Sequence, residues 1–258
     1  MITYFNETPI HYTVKGEGFP LVLLHGFLLS PSIWEEIVPK LATKNQVIII
    51  DLPGHGKSGC IADIHTMELM AEVVHFILEE NNIAKASLIG HSMGGYISLA
   101  FSEKYPDKIN KLVLLNSSSE ADSKERQINR DRAIQVIQTH KEVFIKMGIA
   151  ALFTEERQKK FKHLIEKFSA EAFDFPVEGI IAAIEGMKVR KDRTSVLKEF
   201  KGEKYMISGI EDPIIPISNS EKEALETNSK LYKVNSGHMS INENIDEIIK
   251  IVHFIEFL

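Results

Sequence analysis

The sequence predicts an α/β protein whose central sheet is mostly parallel. Short, continuously apolar segments alternate along the chain with segments that carry apolar residues at helical spacing. This alternation is typical of parallel strands covered by helices on both faces. The chain has 258 residues, of which 44% are hydrophobic and 26% are charged, so it can bury a sizeable core as one domain.

Eight segments are predicted to be strands from their apolar, β-favouring composition. They are Ile2–Asn6, Ile10–Lys15, Leu21–Leu24, Val47–Ile50, Ala86–Ile89, Leu112–Leu115, Tyr205–Ser208 and Lys230–Val234. Leu21–Leu24 is an uninterrupted apolar run, as expected for a strand that is buried on both faces.

Five helices are predicted between or after these strands. They are Ile33–Leu41, Thr66–Glu80, Gly94–Tyr105, Ser218–Glu226 and Ser240–Phe257. A serine followed three residues later by a glutamate forms a capping box, and this pattern predicts helix starts at Ser32, Ser218 and Ser240.

The stretch Ser118–Glu199 interrupts the alternation and contains no convincing strand. Apolar pairs at helical spacing, among them Ile134/Ile137 and Phe161/Ile165, predict several amphipathic helices instead. A helical block between two strands of one sheet is expected to cover the sheet as a lid. We therefore predict a core of residues 1–117 and 200–258, with a helical lid at 118–199.

The segment Gly90-His91-Ser92-Met93-Gly94-Gly95 lies between a predicted strand and a predicted helix. Gly-x-Ser-x-Gly in this position is typical of a nucleophile elbow, a tight turn that lifts a serine hydroxyl above the carboxyl edge of a sheet. Glycines flank the serine because a Cβ would collide inside so crowded a turn. Ser92 is therefore the predicted nucleophile.

A serine hydroxyl needs a base, and the base needs an acid that fixes its tautomer. His238 follows the last predicted strand, and Asp212 follows the strand before it, so both are expected at the same sheet edge as Ser92. The chain order Ser92, Asp212, His238 is the order of α/β-hydrolase triads. Glu211 is the local alternative for the acid.

An acyl-transfer site also needs N–H donors for the oxyanion of the tetrahedral intermediate. The backbone N–H of Met93, directly after the nucleophile, is the first predicted donor. Phe27, in the loop after Leu21–Leu24, is predicted to supply the second. His25 in the same loop is expected to hold that loop in shape.

These motifs together resemble the α/β-hydrolase superfamily, in its serine hydrolase or esterase-like branch with a helical lid. The motifs are His25-Gly26-Phe27, Asp51-Leu52-Pro53-Gly54-His55-Gly56-Lys57-Ser58, Gly90 to Gly95, Gly209-x-x-Asp212-x-Ile214-x-Pro216 and Gly237-His238. The resemblance covers about residues 1–117 and 200–258. It implies a sheet of about eight strands and no metal or organic cofactor.

The predicted reaction is hydrolysis of a small carboxylic ester, or a related acyl compound, through an acyl-enzyme on Ser92. The lid is expected to select the acyl group. Five residues are predicted to contact the substrate, namely Tyr96, Phe144, Met147, Phe153 and Met187. The sequence leaves the natural substrate, the oligomeric state and the mobility of the lid open.

Two other functions remain open at this point. A C–C hydrolase or a lyase would use the same triad, as in the synthase of the menaquinone pathway. Members of that branch commonly have arginine four residues after the nucleophile, where this chain has Tyr96, although Arg126 and Arg130 in the lid suit an anionic group. A ligand-binding receptor on a hydrolase fold is the other alternative.

Composition excludes several classes. A net charge of −6 gives no general attraction to nucleic acid or to an anionic membrane. Cys60 is the single cysteine, so no intrachain disulfide forms, and no His-Glu-x-x-His or cysteine cluster indicates a zinc site. The start of the chain lacks the pattern of a signal peptide and no apolar run is long enough to cross a bilayer, so a cytoplasmic location is expected.

Overall fold

The computed structural model describes residues 1–257 and is built around one eight-stranded sheet. The strands are β1 (Ile2–Phe5), β2 (Thr8–Lys15), β3 (Phe19–Leu24), β4 (Asn45–Ile50), β5 (Ala86–His91), β6 (Ile109–Leu115), β7 (Glu203–Gly209) and β8 (Lys230–Val234). Their spatial order is β1-β2-β4-β3-β5-β6-β7-β8. The pairs β1/β2 and β2/β4 are antiparallel and all others are parallel. The predicted fold class is confirmed.

Helices cover both faces of the sheet. They are α1 (Val38–Leu41), α2 (Met67–Glu80), α3 (Met93–Lys104), α4 (Lys124–Ala150), α5 (Glu155–Lys160), α6 (Lys162–Phe173), α7 (Val177–Lys188), α8 (Thr194–Glu199), α9 (Ile217–Thr227), α10 (Ser240–Glu243) and α11 (Ile245–Phe257). Two apolar clusters result, one on each face, and every residue of the central strand β5 is buried between them. Among residues 1–257, no helix combines the length and apolarity that a membrane span needs.

The predicted helix Ile33–Leu41 is not continuous in the structure. A short 3-10 helix, Pro31–Trp34, is followed by α1, and Ser30 rather than Ser32 caps the first of them. The Ser30 hydroxyl accepts the N–H of Ser32 at 3.1 Å. Pro39 stands in the first turn of α1, where its missing N–H costs no hydrogen bond, so the chain starts a new helix there.

Of the other two predicted helix starts, Ser240 is the first residue of α10, and Ser218 lies one residue after the first residue of α9. Helix α9 is preceded by Pro216, and Ser218 lies inside it. The helix predicted from Ser240 is divided at Asn244, whose φ of −144° and ψ of 59° are not helical. The carboxylate of Glu243 accepts the N–H of Met239, the residue directly before α10, and also the N–H of Gly237.

Residues between β6 and β7 carry the five helices α4 to α8, and α4 packs against α6 and α7. Buried Arg193 ties this block to the core, because its guanidinium donates to Glu103 at 3.0 Å and to Glu68 at 2.6 Å. At a second place, Glu171 on α6 accepts the hydroxyl of Ser30 at 2.7 Å. Contacts of charged side chains therefore connect the block α4 to α8, the predicted lid, to the core at two places.

Candidate active site

The turn between β5 and α3 has an unusual backbone at Ser92. Its φ is 51° and its ψ is −115°, outside the regions that residues other than glycine normally occupy. Such a conformation costs roughly 1–3 kcal/mol and persists only where the surroundings enforce it. The N–H of Ser92 donates to the carbonyl of Leu115 at 3.0 Å, which fixes the turn to the neighbouring strand β6.

The glycines of the motif are required by the packing of this turn. A Cβ on Gly90 would lie 2.3 Å from the carbonyl oxygen of Gly94, and one on Gly94 would lie 2.3 Å from that of Leu24. Both contacts are with backbone atoms, which cannot move aside. The Gly-x-Ser-x-Gly pattern therefore lets α3 begin directly against β5 and β3, with Ser92 at the carboxyl edge of the sheet.

Two loops bring His238 and Asp212 together at the same edge. His238 Nδ1 lies 2.8 Å from Asp212 Oδ2 and 3.0 Å from Oδ1, and both side chains are only 1% exposed. Because the carboxylate can only accept, Nδ1 carries the proton and Nε2 presents a lone pair. Nε2 is buried and has no hydrogen-bond partner in the described part of the chain.

Asp212 is held as a carboxylate. Its burial raises the pKa, but the interaction with His238 and the hydrogen bonds from His238, Ile215 and Asn116 lower the pKa by more, so it lies below its usual value. The backbone N–H groups of Ile214 and Ile215 donate to Oδ1 at 2.8 and 2.9 Å. At neutral pH the acid is therefore ionised and oriented toward His238.

Asn116 is a site residue that the sequence reasoning missed. Its side-chain amide donates to Asp212 Oδ2 at 3.0 Å and to the carbonyl of Gly237 at 3.2 Å, so it joins the acid loop to the histidine loop. The available signal was its position directly after the apolar run of β6, where a buried polar residue reaches the carboxyl edge of the sheet.

His91 and Glu243 hold the backbone around His238. His91 Nε2–H donates to the carbonyl of His238 at 2.9 Å, and burial lowers the pKa of His91 to about 3, so the ring is neutral. Glu243 accepts the N–H of Gly237 at 2.9 Å and that of Met239 at 3.1 Å, on either side of His238. His238 is thus held through its own backbone as well as through Asp212.

Arg157 on α5 extends this support into the lid. Its guanidinium donates to Glu243 at 3.0 Å and to Glu211 at 3.1 Å. Glu211, the alternative acid considered above, is exposed and points to Arg157 rather than to His238. The structure therefore brings Asp212, and not Glu211, to the histidine.

Of the two predicted oxyanion donors, Met93 directly follows Ser92 in the chain, and Phe27 lines the same cavity as Ser92. Among the described hydrogen bonds, none uses the backbone N–H of Phe27 or Met93 as donor, so both remain available. His25 shapes the loop of Phe27, because the N–H of Leu52 donates to His25 Nε2 at 3.0 Å and Nδ1–H donates to the carbonyl of Gly26 at 2.8 Å. Burial lowers the pKa of His25 to about 3, which keeps the ring neutral.

A cavity of about 600 Å³ opens between this edge and the lid. Ser92 and His238 line it together, although the Ser92 hydroxyl makes no hydrogen bond to His238 in the structure. Such bonds are often long in free enzymes and tighten when a ligand binds. The rest of the wall is mostly apolar and consists of Phe27, Leu28, Tyr96, Arg126, Asn129, Arg130, Ala133, Phe144, Gly148, Ala151, Leu152, Ile184, Met187 and Ile214.

Three of the five predicted substrate contacts, Tyr96, Phe144 and Met187, line this cavity, and two do not. Met147 is 68% exposed on the outer side of α4. Phe153 is 2% exposed and stacks on Phe161 inside the lid. The prediction was wrong for both because helical spacing identifies apolar positions without saying whether they face a cavity, a neighbouring helix or solvent. No cluster of potential metal ligands is found among the described residues.

This fold and site define a hydrolase-fold enzyme. Residues 20–244 match the family model of the alpha/beta hydrolase fold, and the chain belongs to that family. The predicted resemblance is therefore confirmed.

Curated relatives and solved structures agree with this family. The chain is 30% identical over 262 residues to the uncharacterized hydrolase YugF of Bacillus subtilis, covering 96% of this chain and 92% of that one. It is 32% identical over 222 residues to the dihydrolipoyllysine-residue acetyltransferase component of an acetoin cleaving system from Pseudomonas putida, covering 82% of this chain but 57% of that protein. The chain thus spans little more than half the length of some curated relatives.

A similar solved structure is that of a thermophilic esterase from Thermogutta terrifontis with malate bound. The TM-score is 0.91 at 29% sequence identity, and the alignment covers 98% of this chain and 94% of the esterase. The likeness includes the lid region, since almost the whole chain is aligned.

Proposed function

We propose that this chain is a serine hydrolase that cleaves small carboxylic esters through an acyl-enzyme on Ser92. One observation carries the proposal. His238, paired with ionised Asp212, presents a buried and unpartnered Nε2 to the cavity that strained Ser92 also lines. The similarity to the Thermogutta terrifontis esterase supports ester hydrolysis as the reaction.

The steps follow from these positions. Nε2 of His238 accepts the proton of Ser92 as Oγ attacks the ester carbonyl, and Asp212 stabilises the imidazolium that forms. The N–H groups of Phe27 and Met93 donate to the oxyanion. The C–O bond then breaks, and the alcohol leaves with the proton of His238. Water attacks the acyl-enzyme with the same histidine as base, which releases the acid and restores Ser92.

A fluorophosphonate probe tests the nucleophile, because it reacts with activated serines only. We expect labelling of the wild-type chain and of Ser218→Ala, an exposed serine on α9, and no labelling of Ser92→Ala. Turnover of p-nitrophenyl acetate should fall by roughly 10³-fold or more in Ser92→Ala. An unlabelled wild-type protein, or labelling that survives Ser92→Ala, overturns the proposal.

A second assay tests the reaction class. Methyl and p-nitrophenyl esters with acyl chains of two to eight carbons should be hydrolysed. The size of the cavity should determine which acyl chain length is hydrolysed fastest. A labelled Ser92 together with no hydrolysis of any of these esters would contradict ester hydrolysis. Turnover of a C–C or lyase substrate would then identify the alternative chemistry on the same triad.

A further inference from the structure

The cavity beside Ser92 is polar at two places. One is the pair Ser92 and His238. The other is a set of three side chains from the first two turns of α4, Arg126, Asn129 and Arg130, which project into the same space. Their spacing of three and four residues places them on one face of the helix. The rest of the wall is largely apolar and includes Ala133 and Phe144.

The charges around this second polar group do not cancel. Arg130 and Arg190 both bind the carboxylate of Asp122, which is wholly buried, so one negative charge serves two guanidiniums. Arg190 also stacks on the ring of Tyr96 with its guanidinium carbon 4.1 Å from the centroid. Three arginines and one aspartate leave an excess of two positive charges.

Of these three arginines, Arg126 is the one whose positive charge is exposed and not paired with a carboxylate of the described residues. It is exposed, and its guanidinium donates to a neutral acceptor, the carbonyl of Ile214, at 2.7 Å. No ion pair of Arg126 occurs among the described residues, and no Asp or Glu lines the described cavity wall. Ile214 also donates its N–H to Asp212, so Arg126 lies close to the acid loop.

We infer that the substrate is an ester whose acyl chain ends in a carboxylate, and that Arg126 binds this end. The inference rests on the proposed esterase function and specifies its substrate class, the half-esters of dicarboxylic acids. The ester carbonyl meets Ser92, the methylene chain lies along the apolar wall, and the distal carboxylate accepts from Arg126. Guanidinium groups suit this role because they bind carboxylates with two parallel hydrogen bonds.

Matched pairs of methyl esters test the inference. Methyl hydrogen succinate, adipate and suberate are compared with methyl butanoate, hexanoate and octanoate, so that each pair has the same chain length and differs in the distal charge. The measured quantity is the ratio of kcat/KM within a pair. We expect a ratio of about ten or more for at least one chain length, which falls as salt screens the exposed arginine.

Substitutions of Arg126 test whether its guanidinium is the group that binds the distal carboxylate. Arg126→Gln should lower that ratio about tenfold and Arg126→Lys by less, because lysine keeps the charge and loses the bidentate geometry. Lys124→Gln is the matched control, since it removes the same charge from an exposed position in the same helical turn, outside the cavity wall. A ratio near one at every length, or a ratio that Arg126→Gln and Lys124→Gln change equally, overturns the inference.

Binding of the adipate dianion, measured by calorimetry, separates this inference from the proposed function. Tighter binding to the wild-type chain than to Arg126→Gln, with no ester hydrolysed, would leave the anion site standing and contradict the esterase. Hydrolysis of neutral and charged esters alike, with no effect of Arg126→Gln on adipate binding, would contradict the anion site and leave the esterase.

Discussion

At the scale of single residues, the site depends on side chains that do not belong to the described cavity wall. Asn116 is one of them, because its amide joins Asp212 to the carbonyl of Gly237 from a backbone with φ of 46°. Asparagine tolerates this left-handed conformation better than most residues, and it supplies a donor that glycine lacks. Asn116 thus adopts the backbone conformation that the turn after β6 needs and also orients the Asp212 carboxylate.

Replacement of Asn116 should therefore slow the chemical step. In Asn116→Gly the backbone conformation is kept and the donor to Asp212 is lost, and a hydrogen bond to a charged group is worth about 1.5–3 kcal/mol. We expect kcat to fall roughly 10- to 100-fold with little change in KM. Asn228→Gly is the matched control, since Asn228 has φ of 55° at the end of α9 and is exposed. A wild-type kcat in Asn116→Gly would show that Asp212 is oriented without it.

At the scale of elements, the lid is connected to His238 through α5. Arg157 on that helix donates to Glu243, and Glu243 holds the N–H groups on both sides of His238. Burial raises the pKa of Glu243, while Arg157 and the backbone donors oppose that effect. The carbonyl of Leu152, in the short segment between α4 and α5, also accepts the N–H of His238 at 3.3 Å.

Removing Arg157 should consequently change the pH dependence of the reaction. In Arg157→Gln the carboxyl of Glu243 protonates at a higher pH, and a protonated carboxyl holds the histidine loop less well. We expect the acid limb of kcat to move to higher pH, and the free energy of unfolding to fall by about 1–3 kcal/mol.

Two further variants show whether this effect belongs to the guanidinium. Arg157→Lys should restore part of the original pH profile, and Lys159→Gln, an exposed position on the same helix, should leave it unchanged. If Arg157→Gln lowers stability but keeps the pH profile of kcat, then Arg157 only holds the lid in place and does not act on the histidine.

At the scale of the whole molecule, several histidines are buried as neutral rings. Burial lowers the pKa of His25 and His91 to about 3, and that of His55 and His65 to about 4. Their ordinary value is 6.5. Between the lowered pKa values and 6.5, these histidines are protonated in the unfolded chain but not in the folded chain. The free energy of unfolding therefore increases with pH over this range and is lost as the pH falls below about 6.5.

We expect the free energy of unfolding to fall between pH 7 and pH 5, by about 1–2 kcal/mol for each of these histidines. Glu223 and Glu243, whose pKa burial raises, act in the opposite direction and reduce the total. Urea unfolding at the two pH values measures the change. His55→Gln should reduce the pH slope, whereas the same substitution at exposed His140 should not. Equal stability at both pH values would contradict the prediction.

Much of the fold was predictable because its signals are local. Apolar runs such as Leu21–Leu24 identify buried strands, and all eight predicted strands are present. The helix start at Ser240 is correct and the start at Ser218 is one residue late, but the helices predicted over Ile33–Leu41 and Ser240–Phe257 are each divided in two. A local pattern locates a helix end to within one or two residues and does not show where a helix is interrupted.

The sequence by itself determined the fold class, the elbow at Ser92 and the chain order of Ser92, Asp212 and His238, because glycine geometry and strand order leave few alternatives. Only the tertiary structure decided that Asn116 orients Asp212, that Phe153 packs inside the lid, and that Arg126 has no acidic partner among residues 1–257 while Arg130 shares Asp122. Each of these depends on which distant side chain lies within about 3–4 Å, and contacts across the chain are set by packing and not by local pattern.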